Sequence, residues 1–347
     1  MAARLWRDAA GRRLTAALLL AGLACLPWGT EREQPVFNYI AVVDITRSMN
    51  VEDYRIDGAP VSRLDFVKRA LRGAVAGLPC GSHFGLGVFT ERSAALLFEP
   101  IETCAGFPAI AAALDRLDWR MAWAADSRIA AGLLNTLESL ARYDADLVFV
   151  TDGQEAPPLN PRYRPRLDAV RGKMRGLVLG AGGLVPMPIP KFDEAGRQTG
   201  FVSPDEVPHR STFGLSEMAP EQIEGYHARN APFGNATVAE TEHLSALRED
   251  YLRQLAAEGG LEYRRLLGGE GLGHALLRPE LARTARVRTG LSHWPAGLAL
   301  AALVAAYGVG RGRTTIGDWT GRVKAAIDGW KARPFRPRRA VFHEEER

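Results

Sequence analysis

The sequence predicts a doubly wound α/β fold: a mostly parallel sheet with one antiparallel edge strand, plus terminal membrane helices. Three observations carry this. Short apolar runs at residues 37–43, 147–150 and 177–179 end in Asp44, Thr151 and Gly180. Such runs, closed by turn residues, suit strands buried on both faces of a parallel sheet. Between them lie amphipathic stretches of helical period, and strands that alternate with helices give a wound sheet. Finally, residues 14–27 and 294–309 are apolar almost throughout and flanked by arginine.

The elements follow in order. After the first strand, residues 49–60 read as a polar loop. Residues 62–78 form a helix, with Ser62 as its cap and Leu64, Val67, Leu71 and Val75 facing the core. Strands at 84–89 and 95–101 make a hairpin turned at Glu91, Arg92 and Ser93. Helices are expected at 107–117, 129–140, 167–174 and 244–257, and a last edge strand at 259–263. The segment 184–241 has no clear period beyond a hairpin at 188–196 and reads as an insertion. A loop of that length is either a partner-specific surface or a decoration. Its histidines, His209 and His227, are too scattered for a zinc site.

Composition is that of a globular protein: 347 residues, 46% hydrophobic and 24% charged. The net charge of +4 gathers in the tail, residues 311–347, so no basic face for nucleic acid is expected. Arg4, Arg7, Arg12 and Arg13 before the first apolar run form a charged leader, either a cleaved signal peptide or an uncleaved anchor. The expected organisation is a leader at 1–30, a main domain at 31–270, a juxtamembrane segment at 271–292, a transmembrane helix at 293–310 and a basic cytoplasmic tail. The basic amino terminus places the main domain in the periplasm of a bacterial inner-membrane protein. In the tail, Ile316, Trp319, Val323, Ile327 and Trp330 recur at helical spacing, as in a helix that lies on a membrane or on a partner. Export permits disulfides. Cys80 and Cys104 flank the hairpin at equal distance from Arg92 and are expected to pair.

The chemistry concentrates where strands end. Asp44, Thr46 and Ser48 follow one apolar strand, and Thr151 and Asp152 follow another. Parallel sheets place ligand sites at the carboxyl ends of their strands. Carboxylates with hydroxyls are the ligand set of a hard divalent cation. The competing reading is that these residues only cap helices.

This pattern resembles the von Willebrand factor A domain and its metal-ion-dependent adhesion site. Asp44, Thr46 and Ser48 match the family's first loop, with Thr in place of the first Ser, and Asp152 matches the third-loop Asp. For the second loop, Ser127 aligns with the family's Thr, and Asp126 beside it is the alternative. The resemblance covers about residues 36–266. Glu52, Asp53, Arg63, Asp65 and the run 85–90 are similar to the bacterial membrane-anchored branch, which includes aerotolerance-type proteins. Thr46, the Cys80 and Cys104 pair and the layout look most similar to proteins of methanol-oxidation gene clusters, implicated in calcium insertion into periplasmic methanol dehydrogenase.

The resemblance implies a metal site of Asp44, Thr46, Ser48, Ser127 and Asp152 that holds Mg²⁺, or else Ca²⁺ or Mn²⁺. The three hydroxyls would ligate directly, the two carboxylates would balance charge, and one position would stay open for an acidic residue of a protein partner. That partner would be methanol dehydrogenase or another maturation protein, and no catalysis is expected. The alternatives are a generic aerotolerance or envelope-stress protein and a metal-dependent phosphohydrolase of haloacid-dehalogenase type. The latter needs a second Asp where this chain has Thr46. Replacing Asp44 or Asp152 is expected to spare the fold and abolish partner binding.

Overall fold

The computed structural model describes residues 9–26, 29–124, 126–156, 164–193, 195–206, 243–291 and 293–308. Helix α1 (Ala9–Ala24) and strand β1 (Gly29–Val36) precede the first core strand, β2 (Asn38–Asp44). A 3₁₀ turn at Arg47–Asn50 leads to a small hairpin, β3 (Tyr54–Ile56) with β4 (Ala59–Val61). The expected polar loop therefore contains paired backbone. Asp57 and Gly58 both take positive φ, 53° and 84°, the turn geometry that closes a two-residue hairpin.

Helix α2 (Arg63–Ala76) is capped by Ser62, whose side chain accepts the N–H of Asp65. Strands β5 (His83–Thr90) and β6 (Ser93–Glu102) form the antiparallel hairpin. Helix α3 (Thr103–Asp115) starts earlier than its apolar period suggests, because the Glu102 carboxylate accepts the N–H groups of Cys104 and Ala105. Cys80 and Cys104 are joined by a disulfide, with Cα atoms 5.2 Å apart.

Helix α4 (Ile129–Leu140) and strands β7 (Asp146–Thr151) and β8 (Gly176–Gly180) follow. The helix expected at 167–174 is only a 3₁₀ turn, Asp168–Val170. The run is too short to nucleate a helix alone, and Gly172 ends it at a φ of 78°. Strand β9 (Met187–Pro188) is followed by a hairpin of β10 (Pro190–Phe192) and β11 (Gln198–Phe201). Strand β12 (Leu244–Ser245) pairs with β9, so helix α5 (Glu249–Gly259) begins later than residue 244. Strand β13 (Glu262–Arg265) is parallel to β8. Helix α6 (Gly269–Leu276), strand β14 (Arg283–Gly290) and helix α7 (His293–Gly308) complete the described chain.

The central sheet has the order β13-β8-β7-β2-β5-β6. Every neighbouring pair is parallel except β5 with β6. Alternate residues feed two cores. Tyr39, Ala41 and Val43 of β2 pack with α2, α3 and α6 on one face. Ile40 and Val42 pack with α4 and α5 on the other. From β2 the chain winds first to β5 on one side and later to β7 on the other. The carboxyl ends of β2 and β7 therefore flank the switch point where such sheets open a crevice.

Two compact units are present, Glu33–Val287 and a smaller one of residues 1–32 with 288–347. Residues 271–287, read from sequence as a juxtamembrane segment, thus belong to the larger unit, where Leu272, Leu276 and Leu281 enter its core. In the smaller unit α1 and α7 pack together, and Arg13 Nη1 donates to the Ala305 carbonyl at 2.9 Å. Each is 16 residues long, about 24 Å at 1.5 Å per residue, against roughly 30 Å of bilayer hydrocarbon. No helix among the described residues is long and apolar enough to cross a membrane. The basic tail at 311–347 and most of the 184–241 insertion, with His209 and His227, lie outside the described residues.

Candidate metal centre

Strand β2 ends at Asp44 inside the core, so its carboxylate is fully buried. One oxygen, Oδ1, accepts from the Thr46 N–H at 2.9 Å and the Thr46 hydroxyl at 2.7 Å. The other, Oδ2, accepts from the Thr151 hydroxyl at 2.6 Å. The Thr46 and Ser48 hydroxyls lie 3.4 Å apart. The first loop thus turns its two hydroxyls to the same side as the Asp44 carboxylate.

Asp152 follows Thr151 at the end of β7 and is also fully buried. Its Oδ1 accepts the Gln154 N–H at 3.0 Å. Its Oδ2 accepts from Arg63 Nη1 at 2.7 Å and from the Ser245 hydroxyl at 3.0 Å. Arg63 itself has no exposed side-chain surface. Its Nε and Nη2 donate to Asp53 Oδ2 at 2.9 and 2.6 Å, and its Nη1 also reaches the Ser245 hydroxyl and the Ser48 carbonyl. One guanidinium thereby ties the first loop, the β3–β4 approach, the third loop and β12 together. Burial works against its charge, but Asp152 and Asp53 outweigh that and hold it protonated.

Ser127 comes from a separate loop and is stitched into the rim by its backbone. It exchanges hydrogen bonds with Ala156, both at 2.7 Å, while its neighbours Asp126 and Arg128 bond the backbone of Glu91. Its hydroxyl is buried and has no hydrogen-bond partner among the described residues. Asp126, the alternative ligand, faces Arg128 in an ion pair of 3.4 Å. Glu155, from the third loop, accepts the N–H of Ala130 at 3.0 Å and so caps α4. Burial, relieved only in part by Tyr251 and these N–H groups, raises its pKa.

The charges do not balance. Asp44, Asp152 and Asp53 are all buried or nearly so, and Arg63 is the cation bonded to the last two. Burial first, and the charge of Asp152 second, push the Asp44 pKa up to about 7. A buried carboxylate in excess takes up a proton or a cation. The Asp44 carboxylate, the Thr46 and Ser48 hydroxyls beside it and the unpartnered Ser127 hydroxyl of the neighbouring loop are the kind of donors a hard divalent cation takes.

Four of the five residues expected from sequence are thus brought into one hydrogen-bonded cluster, with Arg63 bridging Asp152 to the Ser48 loop. Ser127 joins the rim through its backbone alone. Sequence reasoning placed Thr151 at the rim without giving it a role, and missed Ser245 and the bridging role of Arg63. An arginine at the start of a helix whose next apolar residues face the core was the available signal for Arg63.

No family model and no curated protein matches the chain. Solved structures do. An aerotolerance-related membrane protein from Bacteroides fragilis is 18% identical, with a TM-score of 0.44, and covers 69% of this chain and 96% of that one. A von Willebrand factor type A protein from Catenulispora acidiphila is 12% identical at a TM-score of 0.34, covering 78% of this chain and 47% of that one. The mussel byssus proximal thread matrix protein 1, with a zinc-occupied MIDAS motif, is 12% identical at 0.34, covering 71% and 48%. The chain spans about half the length of the latter two.

Proposed function

We propose that this chain is a non-enzymatic, divalent-cation-dependent protein-binding factor of the bacterial envelope. The observation that carries the reading is the buried rim itself: Asp44 and Asp152 with one guanidinium between Asp152 and Asp53, and on a neighbouring loop a buried Ser127 hydroxyl without a hydrogen-bond partner among the described residues. Thr46, Ser48 and Ser127 would be the direct ligands. Asp44 and Asp152 would balance charge through water, since their oxygens already accept hydrogen bonds from the protein. Mg²⁺ suits such a set best, because it keeps several waters and needs few protein carboxylates. When bound, the cation supplies an electrophilic position that an acidic residue of the partner completes.

Both oxygens of Asp44 are held by Thr46 and Thr151, which suits a carboxylate that balances charge from a fixed position. The membrane placement, with the domain in the periplasm and the tail in the cytoplasm, rests on the arginine-flanked apolar segments at 14–27 and 294–309. The finer reading, a role in calcium insertion into methanol dehydrogenase, rests on sequence resemblance alone. The test is a tagged pull-down from solubilised membranes of the native host, with Mg²⁺ and then with chelator. Capture of a dehydrogenase or its maturation proteins only with metal supports the full reading. Metal-dependent capture of unrelated envelope proteins supports the aerotolerance-type alternative, and metal-indifferent capture contradicts the adhesion mechanism.

A further inference from the structure

Beside the metal loop lies a cleft that the adhesion reading does not use. Its volume is about 170 Å³, and its walls include Arg47, Asn50, Trp119, Lys191 and Phe192. Arg47 is the residue between Thr46 and Ser48, and it is exposed while its neighbours in the loop are buried. Among the described residues no carboxylate pairs with its guanidinium. The other cation of the cleft, Lys191, is already paired with Glu206.

The apolar wall is built firmly. The Trp119 and Phe192 rings face each other with centroids 5.8 Å apart. Beneath the β10–β11 hairpin, Val51, Ile189 and Val202 form a small buried cluster that seats it. A half-buried aromatic pair beside an unpaired guanidinium is the composition of an interface anchor, where aromatic residues and arginine concentrate binding energy.

We propose that this cleft is the second half of the partner site and takes an acidic segment in which an apolar side chain separates two carboxylates. The proposal rests on the metal-dependent reading above. The first carboxylate completes the cation, the apolar side chain lies on Trp119 and Phe192, and the second carboxylate pairs with Arg47. Charge complementarity selects this occupant: the cleft offers the Arg47 guanidinium without a carboxylate partner among the described residues, and its own carboxylate, Glu206, is paired with Lys191. Arg47 therefore acts as a specificity residue that distinguishes doubly acidic from singly acidic partners.

The experiment uses the full-length protein in detergent and a fluorescein-labelled peptide carrying Glu-Phe-Asp between glycines, followed by fluorescence polarisation in Mg²⁺. A control peptide carries Glu-Phe-Asn. The expected result is that the doubly acidic peptide binds more tightly than the control. Arg47→Gln then weakens it about tenfold, the value of one charge-assisted hydrogen bond, and abolishes the preference. Phe192→Ser weakens both peptides. If Arg47→Gln and Phe192→Ser bind like wild type while chelator still removes binding, the cleft is overturned and the metal reading stands. If chelator has no effect, the metal reading falls and this proposal with it. No binding of either peptide by wild type up to millimolar concentration also overturns it. A gain of affinity only after residues 207–242 are replaced by a short linker would assign the cleft to this chain's own insertion instead.

Discussion

Sequence treats Asp44 and Asp152 as equivalent members of one motif, yet their surroundings make opposite demands on the fold. Replacing Asp152 by alanine removes one partner of a fully buried guanidinium and takes the acceptor from the Ser245 hydroxyl proton and the Gln154 N–H. Breaking a buried ion pair from one side costs about 3–5 kcal/mol. Arg63 keeps Asp53 on its other edge, so the lower end, about 3 kcal/mol, is expected. For a unit of this size that is a fall in Tm of roughly 6–12 °C. Asp44→Asn removes a charge that burial already disfavours; its amide oxygen can still accept from Thr46, and its NH2 group then faces the Thr151 hydroxyl, which must turn to accept. Its metal-free stability should lie within about 1 kcal/mol of wild type, the worth of one ordinary hydrogen bond. The assay is thermal and urea unfolding of the purified protein in chelator, followed by circular dichroism. In saturating Mg²⁺ wild type should gain about 2.7 kcal/mol at a hundredfold excess over Kd, and neither variant should gain. An Asp152→Ala protein as stable as wild type, or an Asp44→Asn protein less stable than Asp152→Ala, would refute the reasoning. The two positions are therefore expected to differ in stability, with Asp152→Ala losing more than Asp44→Asn.

The same geometry sets other outcomes. Because burial raises the Asp44 pKa in the folded state to about 7, folding takes up a proton there. That contribution is present at low pH and is lost as pH rises through about 7. The chelated protein should melt at lower temperature at pH 8 than at pH 6, Asp44→Asn should flatten this slope, and Mg²⁺ should remove it. A β-carbon on Gly132 would stand 1.9 Å from Phe89 Cε2 in the core. Gly132→Ala should cost at least about 1–3 kcal/mol as a lowered urea midpoint, because α4 can approach β5 this closely only without a side chain. The disulfide between Cys80 and Cys104, separated by 24 residues, should contribute roughly 2–5 kcal/mol. Reduction should lower Tm without altering Mg²⁺ affinity, since the bridge ties the foot of β5 to α3 and not the metal rim.

Much of this was legible in the sequence, and the reason differs by residue. Strands β2, β7 and β8 announce themselves because burial on both faces demands an unbroken apolar run, and Asp44 and Asp152 are conspicuous where the runs stop. The Cys80 and Cys104 pair follows from hairpin symmetry. The β3–β4 hairpin was hidden because its strands are three residues long and polar, although Asp57-Gly58 is a strong turn signal. Strand β12 was absorbed into a helical period because its partner β9 is far away in sequence. Arg63 was hidden for the deeper reason. Its meaning depends on Asp152, 89 positions away, and on Ser245, 182 away, which no local pattern joins. Ser127 stays the hardest, since its evidence is a missing hydrogen bond.

The most direct test of the central claim is a calorimetric titration of the purified, metal-stripped protein with Mg²⁺ and Mn²⁺ at pH 7.5, beside Asp44→Asn and Ser127→Ala. The account predicts one site per chain in wild type, no measurable site in Asp44→Asn, and a weakened one in Ser127→Ala. Absence of binding in wild type, or equal affinity in all three proteins, would contradict a cation held by this rim.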